Sequence, residues 1–264
     1  MIIGLIVGGV MVGRDLIHAS EIRSTISQLE KYNAAVNTFQ GKYNCLPGDC
    51  AHGENFGFNS AWDGNGDGII GPSSSTALGM WGSSNMEPGY FWWQLQAAGL
   101  IKDPFIVNDD YQLGENTPQA YITSMPLWNN TAGWGIIADA RFSPNYGGGS
   151  LAAHSFVLGD GNSGSIIYGA YAPADMFSID TKVDDGLPLS GRMHAFNYAP
   201  VGNSGGASYW FGCANMTACT EGIGPGGSGT DKCVRNDVSP SAYNVLSTMA
   251  DSGGVCGAVI KASF

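Results

Sequence analysis

The sequence predicts an α+β protein in which one long N-terminal helix is followed by a mainly antiparallel β-rich head with long loops. Two observations support this fold class. The first 44 residues contain no proline and carry apolar residues at helical spacing. The remainder alternates short apolar runs with clusters of glycine, asparagine, serine and proline. We therefore divide the 264-residue chain into a helix over residues 1–44 and a globular head over residues 45–264.

The predicted helix has two different halves, an apolar one over residues 1–13 and an amphipathic one over residues 14–44. In the second half, apolar residues recur every three, four or seven positions: Ile22, Ile26, Leu29, Val36, Phe39 and Tyr43. A helix of this length is roughly 65 Å long at ~1.5 Å per residue. Such a helix is typical of a filament subunit, whose apolar end is buried among other subunits and whose amphipathic half packs on its own head.

The apolar run differs from other hydrophobic targeting segments. A secretory signal peptide has basic residues before its apolar stretch, and none precede this one. A complete membrane span needs about 20 apolar residues, and this run has 13. We therefore interpret residues 1–13 as the remaining part of a longer hydrophobic helix that begins upstream.

Charge is distributed unevenly along the chain. The net charge is −11, with +1 in residues 1–44 and −12 in the head. Binding of nucleic acid through phosphate neutralisation requires clustered lysine and arginine, so we expect no nucleic-acid partner. An acidic head fits a calcium-binding or solvated extracellular surface better.

The cysteines predict disulfides in an oxidising compartment, because their number is even and no CxxC motif occurs. They are Cys45, Cys50, Cys213, Cys219, Cys233 and Cys256. Cys45 and Cys50 flank a Leu-Pro-Gly-Asp turn that can bring them together, and the other four fall within the last 52 residues. The sequence leaves the complete pairing open.

Within the head, five apolar-aromatic runs predict strands and one predicts a further helix. The strands are expected at residues 120–124, 135–140, 153–158, 165–172 and 193–198. The helix is expected over residues 89–100, with Gly99 at its C-cap. Glycine-rich loops are expected at residues 147–150, 202–206 and 222–229.

Residues 63–70 (DGNGDGII) match the first part of an EF-hand-type calcium loop. Oxygen donors at positions 1, 3 and 5, a glycine at 6 and a carbonyl at 7 come from Asp63, Asn65, Asp67, Gly68 and Ile69. The usual glutamate at position 12 is replaced by Ser74, so we expect Glu87 to complete a calcium site. The alternative is a turn without metal. We interpret residues 160–162 and 184–186 as ordinary acidic turns.

An enzymatic function is the alternative of another class. Residues 202–206 (GNSGG) resemble the nucleophile loop of chymotrypsin-like proteases, and His154 could act as a base. Only 50 residues separate His154 from Ser204, too few for the barrel that lies between them in that fold. The order is also the reverse of that in α/β-hydrolases. We therefore predict no catalytic activity and keep a secreted serine hydrolase using Ser204 as the rival hypothesis.

Several tryptophans allow two interpretations. Trp92, Trp93 and Trp210 could line a sugar-binding surface. Aromatic residues more often pack in a core or against another subunit, and we expect that role here.

Four blocks of the sequence resemble bacterial type IV pilin-like proteins, in particular a prepilin-type or type II secretion pseudopilin-like subgroup. The blocks are residues 4–50, 63–70, 91–101 and 179–191, in the order that the family has them. The resemblance implies a type IV pilin-like fold and a structural subunit (pilin) of an extracellular type IV pilus-like helical filament. A minor pseudopilin of a type II secretion system and an adhesin head displayed on a filament are alternatives within the resemblance.

The resemblance also implies partners and a location. The helix would first lie in the inner membrane and then enter a helical homo-oligomer at the cell surface, with help from pilus or secretion assembly machinery. Family members begin with a basic leader, a phenylalanine and a glutamate at the fifth mature position. By alignment, the leader and about ten mature residues are expected upstream of Met1.

The assembly contacts are expected on the apolar half of the helix. The implied residues are Ile3, Gly4, Ile6, Gly8, Gly9, Val12 and Gly13. Their glycines fall near i, i+4 spacing, which permits close approach of neighbouring helices. The alternative is that the glycines only reflect the composition of membrane helices.

Overall fold

The computed structural model describes twelve segments of the chain, and the architecture below concerns them. They are residues 2–70, 87–102, 118–121, 132–137, 154–161, 166–168, 171–188, 190–198, 233–235, 242–243, 245 and 255–264. The described helices are α1 (Ile2–Tyr43), α2 (Glu87–Ala97) and α3 (Pro173–Val183), with short 3-10 helices at Gly53–Phe56 and Ser60–Trp62. The described strands are β1 (Ala132–Ile137), β2 (Ser155–Gly161), β3 (Ile166–Tyr168), β4 (Met193–Tyr198), β5 (Val234–Arg235), β6 (Ala242–Tyr243) and β7 (Val255–Lys261).

The strands form one five-stranded sheet and one two-stranded sheet, and every pairing is antiparallel. The larger sheet has the order β1-β2-β7-β4, and β3 pairs with the far end of β2. Phe156 of β2 lies opposite Ile260 of β7, and both side chains are fully buried. The C-terminal strand is therefore central to the sheet, and the prediction of an α+β chain is confirmed.

Helix α1 is continuous over 42 residues, as the sequence predicts. It ends at Tyr43 because Asn44 adopts a left-handed conformation with φ 56°. The Asn44 amide donates to the Gln40 carbonyl at 2.8 Å, which satisfies one of the last carbonyls of the helix. Asparagine is among the few residues other than glycine that tolerate this conformation.

The apolar stripe of α1 packs into the core of the head, as predicted. Leu29, Val36 and Phe39 are at most 3% exposed, and the Phe39 ring stacks on Phe58 with centroids 5.7 Å apart. Tyr32, which lies on the same face, meets the Trp92 ring edge-on at 4.9 Å. Each fully buried side chain of this size contributes about 1.5–3 kcal/mol, so the stripe holds the second half of the helix firmly on the head.

The first half of α1 makes no comparable packing. The large apolar side chains whose exposure is described there are all more than half exposed: Ile3, Ile6, Val7, Val10, Met11, Val12, Leu16 and Ile17. The exposed apolar surface extends past residue 13, the predicted limit, because Leu16 and Ile17 belong to it. Within the described segments, no helix is both long enough and apolar enough to cross a membrane.

Helix α2 was predicted with slightly different limits, at residues 89–100. Its predicted cap is confirmed: Gly99 has φ 73°, and the Leu100 amide donates to the Leu95 carbonyl at 3.0 Å. Trp92 is fully buried, and Trp93 is half-buried with its ring 4.0 Å from that of Trp62. Trp92 is therefore a core residue, whereas Trp210 lies outside the described residues.

The predicted strands agree with the structure to different degrees. The prediction at residues 193–198 matches β4, and those at 135–140 and 153–158 overlap β1 and β2. Residues 165–172 contain the short strand β3 and then Tyr171, which forms an isolated bridge with Cys256. The prediction at 120–124 is wrong at Ala120 and Tyr121, the only described residues of that range, because neither forms a strand. The three predicted glycine-rich loops lie outside the described residues.

Two disulfides are present in the described part. Cys45 pairs with Cys50, with Cα atoms 5.3 Å apart, which confirms the pairing suggested by the turn between them. Cys233 pairs with Cys256 at 5.2 Å and so attaches the start of β5 to the central strand β7. Cys213 and Cys219 lie outside the described residues.

Candidate functional site

The first part of the candidate site is the turn over residues 46–49, which immediately follows α1. Pro47 precedes Gly48, whose φ of 85° suits the third position of a type II turn. The Asp49 amide donates to the Leu46 carbonyl at 3.1 Å, and the flanking disulfide closes the loop. The Gly48 amide also donates to the Gln94 side chain of α2 at 2.7 Å. Asp49 is thus fixed between α1 and α2.

The loop over residues 63–70 wraps around the Asp49 carboxylate. That carboxylate accepts hydrogen bonds from the amides of Gly66 (2.8 Å), Asp67 (3.1 Å) and Gly68 (2.9 Å). Burial raises the pKa of Asp49; these amides oppose the rise, and the nearby Asp67 charge adds to it. An acidic side chain from a different segment therefore organises the predicted calcium loop.

The loop keeps its shape through two successive Asx-turns. The Asp67 amide donates to Asn65 Oδ1, and the Ile69 amide donates to Asp67 Oδ1, both at 2.8 Å. Gly66 and Gly68 have φ values of 74° and 83°, which side chains with a Cβ rarely adopt. The sharp turn predicted at Gly68 is present.

Asp49, Asp67 and Glu87 form a cluster of carboxylates that could hold a metal ion. One oxygen from each lies within 4.8 Å of the others. Glu87 is in the first turn of α2 and accepts a hydrogen bond from the Asn65 amide at 2.9 Å. Ligands that are all oxygen suit a hard cation such as calcium or magnesium. Three negative charges in so small a space repel each other, and a cation would relieve that repulsion.

The structure brings together only part of the predicted ligand set. Asp67 and Glu87 are in the cluster, and the Asn65 side-chain amide donates to Asp67 Oδ2 at 3.0 Å. Ile69 is adjacent, because its backbone amide donates a hydrogen bond to Asp67 Oδ1. Asp63 points elsewhere: its carboxylate accepts from the Gly53 amide at 3.0 Å, and its pKa is raised, first by burial and then by its bond with Glu54.

Asp49 is a member of the cluster that the sequence pattern did not predict. By analogy with EF-hands the last ligand was expected after the loop, whereas Asp49 comes 14 positions before Asp63. One signal was available in the sequence. An acidic residue that directly precedes a cysteine in a Leu-Pro-Gly-Asp-Cys turn has a fixed position once the disulfide forms.

The rival hydrolase site is described only at its histidine. His154 Nε2 accepts the Ile70 amide at 3.1 Å, and its ring stacks on Phe264 with centroids 5.7 Å apart. Burial lowers the pKa of His154. Ser204 lies outside the described residues.

The second feature of functional interest is the apolar surface of α1. A Cβ atom added at any of its four glycines would meet no atom within 4 Å; these are Gly4, Gly8, Gly9 and Gly13. His18 Nε2 lies 2.7 Å from the Asp175 carboxylate of α3, where the helix reaches the head. The exposed apolar side chains precede His18, and the buried ones begin at Ile22. One helix therefore presents two surfaces in sequence, the first open and the second buried.

Comparison with known proteins provides no relative that could suggest a function. No protein-family model, no curated protein and no solved structure matches this chain.

Proposed function

We propose that this protein is a structural subunit of an extracellular type IV pilus-like helical filament. The observation that carries the proposal is the division of α1. Ile3 and Leu16 are 78% and 67% exposed, whereas Val36 and Phe39 on the same helix are fully buried. The head therefore buries one half of the helix and leaves the other half for a different partner.

The exposed half favours association on energetic grounds. Eight large apolar side chains between residues 3 and 17 are described as exposed, and burying them would contribute on the order of 10 kcal/mol. Contiguous apolar surfaces of this kind mark interaction sites with proteins or membranes. In the proposal, the inner membrane covers this surface in the single subunit, and the helices of other subunits cover it in the filament.

The glycines favour neighbouring helices as the final partner. Gly4, Gly8, Gly9 and Gly13 lie on the exposed half, with open space around each. Small residues allow helix backbones to approach closely, which increases van der Waals contact where lipid would otherwise fill the space. A helical bundle of copies is therefore the proposed assembly, and the acidic head forms its outer shell.

A second part of the proposal concerns calcium. We infer that calcium binds the Asp49–Asp67–Glu87 cluster and stabilises the head. The three carboxylates belong to the turn after α1, to the loop over residues 63–70 and to the start of α2. An ion bound there would connect all three, close to the point where the helix meets the head.

The filament proposal is tested with Gly8→Leu in the native gene. A Cβ added at Gly8 meets no atom within 4 Å, so we expect a folded head with normal disulfides but no filaments in material sheared from cells. Gly41→Leu is the matched control, since Gly41 also has open space around it but lies outside the apolar half. Normal filaments from Gly8→Leu would contradict the proposal.

The alternatives predict different results. A minor pseudopilin would be present far below the amount of another pilin in the same filaments. A secreted serine hydrolase would be labelled at Ser204 by a serine-reactive phosphonate, and absence of labelling in active material would exclude it.

A further inference from the structure

A second group of carboxylates lies at the C-terminal end of α3. Asp180 is in the last turns of that helix, and Asp184 and Asp185 follow it. One oxygen from each of the three lies within 4.8 Å of the others. This group shares no residue with the Asp49–Asp67–Glu87 cluster, and its two turn residues belong to the segment that the sequence suggested to be an ordinary acidic turn.

The turn that follows α3 holds two of these carboxylates in place. Asp184 Oδ2 accepts hydrogen bonds from the amides of Arg192 and Met193, the latter at 3.0 Å. Asp185 accepts from the Leu187 amide at 2.8 Å and from the Ser190 hydroxyl at 2.5 Å. Both side chains are therefore oriented before any ligand binds.

The contacts of Asp180 provide an independent indication that this group of carboxylates binds a ligand. The residue is fully buried, and its Oδ2 accepts the Tyr243 hydroxyl at 2.8 Å. Its Oδ1 is also buried but has no hydrogen-bond partner within the described part of the chain. A buried carboxylate oxygen without a partner is energetically costly, and native proteins usually satisfy such atoms.

The basic side chains beside this group do not neutralise it. Lys182 turns to the exposed side of α3, where its ammonium donates to the Ser178 carbonyl at 2.9 Å. Burial lowers the pKa of His194, although Asp184 and Asp185 oppose that effect. Burial raises the pKa of Asp180 to about 7; hydrogen bonding with Tyr243 and with the Gly186 amide opposes the rise, and the charges of Asp185 and Asp184 add to it. A positive charge at this position would reduce the mutual repulsion of the three carboxylates.

We propose that Asp180, Asp184 and Asp185 form a binding site for a hard divalent cation, calcium or magnesium. Asp180 Oδ1 supplies the buried ligand, Asp184 and the exposed Asp185 supply the others, and water completes the coordination that such ions require. The cation would join the end of α3 to the turn before β4 and, through Tyr243, to β6. This site goes beyond the proposed filament function and does not depend on it.

The test is calorimetric titration of calcium, and separately of magnesium, into the chelator-treated full chain. We expect two ions per wild-type chain. Asp185→Asn should weaken the binding of one ion at least tenfold, and Asp67→Asn should affect the other. Asparagine keeps an oxygen for the Leu187 amide, so the turn should persist. Glu30→Gln is the control, because it removes the same charge from an exposed position on α1.

The possible outcomes separate the two clusters. The wild-type chain could bind one ion only. If that ion is lost in Asp185→Asn and retained in Asp67→Asn, the proposal is supported and the Asp49–Asp67–Glu87 cluster does not bind calcium. The proposal is overturned if Asp185→Asn titrates like Glu30→Gln, or if the wild-type chain binds neither ion.

Asp180→Asn provides a second readout. Asparagine preserves the acceptor for Tyr243 and removes the buried charge, so the metal-free variant should melt no lower than the metal-free wild type. Its melting temperature should respond less to the cation than that of the wild type. An equal response in the two proteins would also overturn the proposal.

Discussion

Buried amide side chains on α1 attach the helix to defined parts of the head. Gln28 Nε2 donates to the Gln119 carbonyl at 2.8 Å, and its Oε1 accepts the Trp134 indole N–H at 3.2 Å. Asn33 Oδ1 accepts the Ser263 amide at 2.7 Å, beside the C-terminus. Apolar packing would hold the helix in several registers, whereas these directional bonds select one.

Gln28→Met tests this role, because methionine fills a similar volume and cannot make either bond. We expect the free energy of unfolding to fall by about 1–3 kcal/mol, since the buried Trp134 indole loses its acceptor. Chemical denaturation measures the effect. Ser27→Met, on the exposed side of the same turn, should change stability by less than about 0.5 kcal/mol. Equal effects of the two variants would contradict this account.

His154 predicts a specific pH dependence. Its folded pKa is below the ordinary value of 6.5 because it is buried, so the unfolded chain binds more protons at acidic pH. Stability is therefore fully retained above about pH 6.5 and is lost as the pH falls from that value through the lower pKa of the folded state. His154→Gln keeps an acceptor for the Ile70 amide and should flatten the loss of stability between about pH 7.5 and 5.

The comparison of wild type and variant isolates His154 from other groups that titrate in that range. Asp180, with a pKa of about 7, and His194 are present in both proteins. Denaturant unfolding at several pH values provides the measurement. Parallel stability curves for the two proteins would show that the histidine does not contribute.

Asp67→Asn tests calcium at the Asp49–Asp67–Glu87 cluster. Asparagine retains an oxygen for the Ile69 amide, so the loop should survive the loss of the charge. At calcium concentrations about 100-fold above Kd, a bound ion adds about 2.7 kcal/mol to the free energy of unfolding. The calcium-induced rise in melting temperature should therefore be smaller in Asp67→Asn than in wild type. An equal melting temperature of wild type in calcium and in chelator would exclude the ion.

Individual site residues were predictable only where a local pattern defines them. Asp67 and Gly68 match positions 5 and 6 of an EF-hand-type loop, and in the structure Asp67 belongs to the carboxylate cluster and Gly68 makes the sharp turn. Asp49 and Asp180 were missed because their roles depend on segments that meet only in the folded chain. Burial also distinguishes Asp180 from its exposed neighbour Asp185, and a sequence gives no direct measure of it.

At the scale of elements, the contact between the turn over residues 46–49 and the loop over residues 63–70 requires glycine. A Cβ on Gly64 would lie 2.4 Å from both the Asp49 Cα and the Gly48 carbonyl oxygen. These are backbone atoms, so they cannot move aside without displacing one of the two segments. The loop and the turn can therefore pack only because position 64 has no side chain.

Gly64→Ala should lower the free energy of unfolding by about 1–3 kcal/mol, the usual effect of overpacking. Gly41→Ala is the control in the opposite direction. Gly41 lies in α1 with no atom near its missing Cβ, and alanine there should stabilise the helix by about 0.5–1 kcal/mol. Thermal or chemical unfolding measures whether each variant has a lower or a higher free energy of unfolding than the wild type. A neutral Gly64→Ala would disprove the close packing.

The elements differ in how far the sequence defines them. Helix α1 was predicted almost to the residue, because a long periodic pattern without proline has few alternatives. Helix α3 was missed, although Pro173 at its N-terminus and Asp175 in its first turn are ordinary start signals. Strand β7 was missed because Gly257 and Ala258 weaken its apolar pattern. Its place between β2 and β4 comes from tertiary pairing, which local propensity does not encode.

At the scale of the whole molecule, the chain combines a folded head with an apolar helix surface that the head does not cover. The second half of α1 is an integral part of the core of the head, so the exposed first half extends from a fixed base. Any partner that binds residues 3–17 therefore sets the orientation of the head directly. In a helical assembly, this coupling would give every head the same relation to the filament axis.

The most direct test of the filament proposal is cryo-electron microscopy of material sheared from the cells, with mass spectrometry of the subunit's N-terminus. The account predicts thin helical filaments made of this chain. Residues 3–17 should be packed against the same segment of neighbouring copies. A secreted monomer whose N-terminus lies beyond the apolar residues would contradict it.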